Sequence, residues 1–344
     1  MLIDEKYMRR ALQLAALGAG HTSPNPMVGA VIVTPDGTII GEGWHRQCGQ
    51  AHAEVNAVAS VRDINLLKNS TIYVTLEPCS HYGKTPPCAR LLIERGIPRV
   101  VVGTLDPFPE VAGRGVRMLQ EAGIEVVVGV LEQQCQALNR RFMTAHTTGL
   151  PWVQLKWAQT ADGFIALPPD AGENPLHMST PVTMRWMHRE RSLCDAIVVG
   201  AATARIDNPT LTTRYWPGKS PLRVVLSYEL SMPDNLNLFT DGLPTVVYNG
   251  VKDAVEGAVE YVKIDTDEPR LWLQDLYRRG VTSVMVEGGA RVLNGLIDAG
   301  LWDEARVEVS ARRVGEGLAA PIIGGDVVDK LDIDGNTIIY LARR

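Results

Sequence analysis

The stretch that most constrains this chain is Ala51-His52-Ala53-Glu54, answered downstream by Pro78-Cys79 and then by Cys88. One imidazole, two thiols and an unattached carboxylate are the parts of a catalytic zinc site. Zinc takes nitrogen and sulfur donors in a tetrahedron, and a catalytic centre leaves the fourth position to water. Bound zinc lowers the pKa of that water to about 7, and Glu54 is the group to move its proton. Residues two apart in a regular helix do not share a face. The spacing therefore predicts His52 at a helix mouth and Glu54 a step further in, with the positive end of the helix near developing negative charge. Taken singly, Cys79 or Cys88 reads as a buried small hydrophobe. Taken together, the four residues read as chemistry. Cys48 lies close enough to His52 to be weighed as a ligand, and a small loop residue is the plainer reading.

Around this motif the pattern alternates between strand and helix. Asp4 is expected to cap a first helix with Met8, Leu12, Ala15 and Ala16 on its apolar stripe. Residues 28–33 and 38–43 read as strands about the turn Pro35-Asp36-Gly37. Val55, Ala57 and Val58 continue the metal helix as packing residues. Strand 71–76 puts Glu77-Pro78-Cys79 just past its carboxyl end, where sites collect in open α/β sheets. Helices 89–95 and 115–122, strands 100–103 and 124–130, and one helix over 131–146 complete a layered domain of about 150 residues. The boundary is expected at Thr147-Thr148-Gly149-Leu150-Pro151.

The second half opens a fresh pattern. Strand 152–158 runs into the turn Gln159-Thr160-Ala161-Asp162-Gly163, and residues 168–178 read as a loop able to cover a site. Ser179-Thr180-Pro181 starts a helix. Strand 196–199 ends in Gly200-Ala201-Ala202-Thr203, and strand 281–286 ends in Glu287-Gly288-Gly289-Ala290. Strands 224–226, 245–248, 306–310 and 337–341 fill out the sheet. A strand ending in glycine at a helix start is the geometry that receives a phosphate. Two such mouths in one domain suggest a dinucleotide, although glycines also end strands for plain packing reasons.

Composition removes several classes. A net charge of -5 and 6% aromatic residues give neither the basic face nor the stacking platforms that nucleic acid requires. No apolar run approaches the length of a membrane span. The first residues show no basic segment leading into an apolar one, so a cytoplasmic protein is expected. Of five cysteines, two belong to the proposed metal, and Cys48, Cys135 and Cys194 read as reduced thiols.

His-x-Glu followed by Pro-Cys and a second cysteine is the signature of zinc nucleobase deaminases, here with a longer segment between the cysteines than the usual two residues. The runs Pro24-Asn25-Pro26-Met27-Val28-Gly29, His52-Ala53-Glu54, Glu77-Pro78-Cys79-Ser80-His81 and Thr85-Pro86-Pro87-Cys88 closely resemble the bifunctional deaminase–reductase family of riboflavin biosynthesis. So do Lys156-Trp157-Ala158 with Asp162-Gly163, then Thr203, Asp207-Asn208-Pro209-Thr210-Leu211-Thr212 with Arg214, and Glu287-Gly288-Gly289.

The resemblance implies a cytidine-deaminase-like α/β/α sandwich over residues 1–149, followed by a dihydrofolate-reductase-like α/β domain over 150–344. It implies zinc on His52, Cys79 and Cys88, with Glu54 carrying the proton. NADPH would touch Ala158, Thr203, Asp207 and the run Gly289, Ala290, Arg291, Val292, Leu293, Asn294 and Gly295. Arg191, Leu211, Arg214 and Glu287 would hold the substrate, a phosphoribosylaminopyrimidine. In the first domain Asn25, His45, His81 and Lys84 are the candidates for substrate contact. Asn25 also reads as a turn former, the two histidines as ordinary loop residues, and Lys84 as a solvated charge. The family further implies a homodimer or higher homo-oligomer through the reductase domain. Three features depart from its pattern: Phe108 where asparagine is common, Thr160-Ala161 before Asp162, and His177 in place of a loop tryptophan. Phe108 bears on a pyrimidine contact, while the altered entry turn and loop keep a second reading in view, a zinc deaminase whose second half binds a nucleotide without reducing.

Overall fold

The structure, a computed structural model, describes residues 2–80, 86–108, 112–168 and 176–344. The chain divides into two compact units, Met1–Thr148 and Gly149–Arg344. No helix among the described residues is long and apolar enough to cross a membrane.

The first unit runs α1 (Leu2–Ala16), β1 (Gly29–Val33), β2 (Ile39–Trp44), α2 (Ala53–Ala59), β3 (Thr71–Leu76), α3 (Cys88–Glu94), β4 (Arg99–Thr104), α4 (Arg114–Glu121), β5 (Glu125–Val128), α5 (Glu132–Leu138) and α6 (Arg140–Thr148). Its sheet has the order β2-β1-β3-β4-β5. β1 pairs antiparallel with β2 and β3, while β3, β4 and β5 are parallel. Alternate strand residues serve opposite faces. Ile32, Ile72, Val74, Val100 and Val102 pack with α2, α3 and α4 through Ala57, Leu92 and Leu119. Val31, Val33, Tyr73 and Val101 meet α1 and α5 through Met8, Ala11, Leu14 and Cys135. Helices on both faces make the α/β/α sandwich.

Two expectations are corrected here. Asp4 lies inside α1 and does not cap it. Its carboxylate accepts two hydrogen bonds from the Arg99 guanidinium at 3.0 Å each and one from the Tyr73 hydroxyl at 2.8 Å. The Arg99 hydrogen bond, ahead of the other causes, holds the Asp4 carboxyl below its ordinary value. The single helix expected over 131–146 is two, broken at Asn139. That side chain is 3% exposed and bonds the backbone N–H and carbonyl of Met27, each at 2.8 Å. Along α1 the buried stripe is Tyr7, Met8, Ala11, Leu14 and Ala15, and Ala16 faces out.

The second unit contains β6 (Trp152–Gln159), β7 (Phe164–Ala166), α7 (Pro181–Ser192), β8 (Ala196–Gly200), α8 (Ala201–Asp207), β9 (Leu222–Leu226), α9 (Asn237–Thr240), β10 (Thr245–Asn249), β11 (Ala254–Glu256), β12 (Val259–Lys263), α10 (Pro269–Arg278), β13 (Ser283–Val286), α11 (Ala290–Asp298), β14 (Glu304–Val309), β15 (Leu318–Ala319), β16 (Asp326–Ile333) and β17 (Asn336–Ala342). Ten strands order as β11-β12-β10-β9-β8-β13-β6-β14-β17-β16. From β12 to β14 the pairs are parallel. After β12 the chain returns to insert β13 between β8 and β6, so the winding reverses there. Such a reversal opens a crevice at the carboxyl ends of the strands. α10 and α11 cover one face with Trp272, Leu273, Leu276, Leu293 and Leu296. On the other face α7 meets a buried polar layer. Its Thr183 donates to Glu308 at 2.6 Å, and Arg306, fully buried, lies 3.4 Å from both Glu190 and Glu308.

Candidate active sites

In the first unit, His52 is the residue that starts α2, in extended conformation ahead of Ala53. Cys79 follows β3, and Cys88 is the first residue of α3. His52 Nδ1 lies 3.6 Å from Cys79 Sγ and 3.4 Å from Cys88 Sγ, and the three donor atoms all fall within 4.8 Å of one another. Zn–S and Zn–N bonds of about 2.3 and 2.0 Å set tetrahedral N···S edges of roughly 3.5 Å. The donor set therefore fits zinc in kind and in spacing. The Cys88 amide donates to Cys79 Sγ at 3.2 Å, as backbone donors around a thiolate ligand do. The Cys79 thiol pKa is held low, first by its hydrogen bond with Cys88 and also by His52, and the same pairing with burial pushes Cys88 up.

Glu54 is 3% exposed. Burial, and then the Cys79 charge, push its carboxyl up to about 7. A carboxyl in that range can both take and give a proton near neutrality. The ring of His45 meets that of His52 edge-on at 5.4 Å. Its Nδ1 lies 3.1 Å from the Ala51 carbonyl and its Nε2 3.3 Å from the Asn25 amide. Burial lowers the His45 pKa, which keeps the ring neutral. Asn25 and His45 thus stand beside the metal ligands. His81 and Lys84 lie outside the described residues.

Glu77, which the sequence placed only as part of a motif, has a structural task. Its carboxylate accepts from the amides of Asp106, Gly113, Gly115 and Val116 at 2.8–3.3 Å, fixing the start of α4. A Cβ on Gly115 would come within 2.0 Å of the Pro78 carbonyl, so only glycine lets α4 approach the segment carrying Cys79. Phe108, 38% exposed, meets His146 in an edge-to-face contact with ring centroids 6.2 Å apart.

In the second unit, β8 and β13 end in the two glycine corners. Gly288 (φ 132) and Gly289 (φ 51) take left-handed backbone that side chains resist. The Thr203 hydroxyl lies near the space above them, 3.5 Å from where a Gly289 Cβ would stand. A cavity of about 630 Å³ opens there, walled by Gly200, Ala201, Gly289, Arg291, Val292 and Gly295 among others. Leu293, within the same run, is fully buried in the core, and Asn294 faces out. Ala158 lies near the carboxyl end of β6 and Asp207 at the end of α8. The open glycine corner, the cavity size and buried polar atoms left without partners on its wall suit a dinucleotide.

Arg191 and Glu287 form a buried forked pair at 3.0 and 2.8 Å, and Arg191 also donates to the Thr212 carbonyl at 2.7 Å. Leu211, buried, holds a φ of 54 in the same segment. Arg214 is exposed, stacks over Tyr215 and donates to Thr210 at 3.1 Å. The structure adds Lys156, which the sequence offered only as part of a motif. Its ammonium interacts with Glu287 and Glu308 as well as Arg191 and Arg306, and burial lowers its pKa. His188 on α7 is 1% exposed beside Arg191, Arg214 and Glu287, and burial first, then Arg191, lowers its pKa to about 4. Glu287, whose charge bears on both groups, lies far off in sequence, which is why no local motif flags them.

A hydrolytic zinc centre in one α/β/α unit and a glycine-cornered parallel sheet in the next define a two-module deaminase and dinucleotide-dependent reductase. Residues 1–104 match the family described as the cytidine and deoxycytidylate deaminase zinc-binding region, and residues 151–337 match the RibD C-terminal domain. The riboflavin biosynthesis protein RibD of Bacillus amyloliquefaciens is 40% identical over 94% of this chain and 89% of its own length. That of Escherichia coli is 36% identical over 91% and 89%. The crystal structure of the diaminohydroxyphosphoribosylaminopyrimidine deaminase/5-amino-6-(5-phosphoribosylamino)uracil reductase of Thermotoga maritima superposes with a TM-score of 0.88 at 36% identity, covering 99% of both chains. A RibD structure from Acinetobacter baumannii gives 0.90 at 30% identity with the same coverage. The chain belongs to the RibD family, the bifunctional deaminase–reductases of riboflavin biosynthesis.

Proposed function

We propose that the first unit removes the 2-amino group of 2,5-diamino-6-(5-phosphoribosylamino)pyrimidin-4(3H)-one and that the second reduces the ribosyl group of the deaminated product to ribityl. The observation that carries this is the approach of His52 Nδ1 to both cysteine sulfurs with buried Glu54 alongside. Zinc, when bound, supplies a Lewis acid that makes water reactive at neutral pH. Glu54 takes the proton of the attacking water and passes it to the departing amino group, so the ring gains oxygen and ammonia leaves. Asn25 and neutral His45 hold the pyrimidine against this edge, with His81 and Lys84 as further contacts.

NADPH, when bound, would supply the hydride for the sugar carbon, and the protein's residues would align the two. Ala158, Thr203, Asp207 and the run 289–295 hold the cofactor, except that Leu293 packs into the core and Asn294 faces out, so these two do not serve it by side chain. Arg214 takes the substrate phosphate, which favours a forked guanidinium. Arg191 and Glu287 fix the sugar and ring from below, with Leu211 against them. The domains are assigned as residues 1–149 and 150–344, acting in the cytoplasm as a homodimer or higher homo-oligomer.

Mass spectrometry of products formed with and without NADPH, together with a metal assay, tests the reading. A protein that deaminates yet never consumes NADPH when given the deaminated intermediate would leave the second unit as a nucleotide-binding module.

A further inference from the structure

On the sheet face opposite α10 and α11, the start of α7 is tied down by a carboxylate that the reductase chemistry does not use. Glu308, on β14, is fully buried. Its Oε1 accepts from the Thr183 hydroxyl at 2.6 Å and the Asn336 amide at 2.7 Å, and its Oε2 from the Ser179 hydroxyl at 3.0 Å. A buried carboxylate is costly unless its oxygens are answered, and here both are. The three residues ahead of the helix cap are each held in turn. Arg312 donates to the His177 carbonyl at 2.8 Å, Asn336 to the Met178 carbonyl at 2.9 Å, and Ser179 gives its hydroxyl to Glu308. Thr180 then caps the helix reciprocally with Thr183, and Pro181 opens its first turn. Glu308 therefore grips α7 on both sides of its cap.

A helix is stiff over its length, so a fixed start fixes what its later turns present. Thr183 and Arg191 lie about two turns apart on the buried side of α7. Arg191 leaves that side to make the forked pair with Glu287 and to reach the Thr212 carbonyl. Between them, Glu190 accepts from Trp186 Nε1 at 3.0 Å and from the Tyr340 hydroxyl. Among the described residues, those that wall the cavity at the glycine corners include none from α7. We propose that Glu308 is a positioning residue of the reductase site: it sets the axial place of α7 and, through the helix, the placement of Arg191 on Glu287. This rests on the reading that Arg191 and Glu287 hold the pyrimidine substrate. Glu308 acts on that substrate only through α7.

The test is steady-state reduction of the deaminated intermediate by the full-length, zinc-loaded protein, with NADPH affinity measured separately by calorimetry. In Glu308→Gln, which keeps the shape and drops the charge, KM for the intermediate should rise by roughly tenfold to a hundredfold, the scale on which a misplaced holding group tells. NADPH affinity and deamination should stay at their wild-type values. Thr183→Val removes the hydroxyl that reaches Glu308 and should shift KM in the same direction, while Thr183→Ser keeps that hydroxyl and should hold the wild-type KM. This second pair decides the matter where Glu308→Gln does not fold. A carboxylate that merely stabilises the domain would lower the melting temperature and the amount of active enzyme without moving KM. KM unmoved in Glu308→Gln, or in Thr183→Val where that pair decides, overturns the proposal, and so does NADPH affinity lost in parallel. If the wild type fails to reduce the intermediate at all, the reductase reading itself falls and takes the proposal with it.

Discussion

At the scale of the residue, the chemistry turns on which groups are untouched by metal yet close to it. Glu54→Gln leaves the three ligands in place, so zinc content should match wild type while deamination falls by about 10²–10⁴-fold, the usual contribution of a positioned proton carrier. Near-normal turnover in that variant would remove Glu54 from the mechanism. Arg214→Ala should raise KM for the reduction step and leave deamination alone, because the residue belongs to the second unit; equal loss of both activities would contradict separate sites. The zinc set was legible because His52 and Glu54 stand two residues apart and Cys79 and Cys88 sit in one short segment. Lys156 and His188 were not legible as site residues. What distinguishes them is the charge of Glu287 nearby, which comes from a part of the chain far off in sequence.

At the scale of the element, local signals worked where burial alternates and failed where tertiary contacts override propensity. Strand 71–76 was read to the residue because every residue after Thr71 is buried. The break between α5 and α6 was not, since Asn139 interrupts the helix only by serving the Met27 backbone. β16 was missed as well: its exposed, aspartate-bearing strand carries no apolar rhythm. The misread Asp4 gives a test of α1 docking. Its carboxyl pKa is depressed in the folded state, so the Asp4–Arg99 pair contributes fully above the unfolded carboxylate value of about 3.9 and is lost as pH falls through the lower folded value. Asp4→Asn should cost about 1–3 kcal/mol at pH 7, and the difference from wild type should fade in acid melts. A constant difference down to the lowest pH reached would assign the effect to something other than charge.

At the scale of the whole molecule, two units with their own cores and their own sites should respond separately to metal. Zinc removal by a chelator should abolish deamination and leave reduction of the already deaminated intermediate intact; loss of both would make zinc a requirement of the whole fold. The order of the two modules was legible from the order of motifs along the chain, while the insertion of β13 between β8 and β6, which reverses the winding, has no signature in sequence. The most direct test of the central claim is to supply the diaminopyrimidine phosphate to the zinc-loaded enzyme and weigh the product. Without NADPH the account predicts exchange of one amino group for oxygen, and with NADPH a further gain of two hydrogens. A substrate returned unchanged by protein carrying stoichiometric zinc would contradict it.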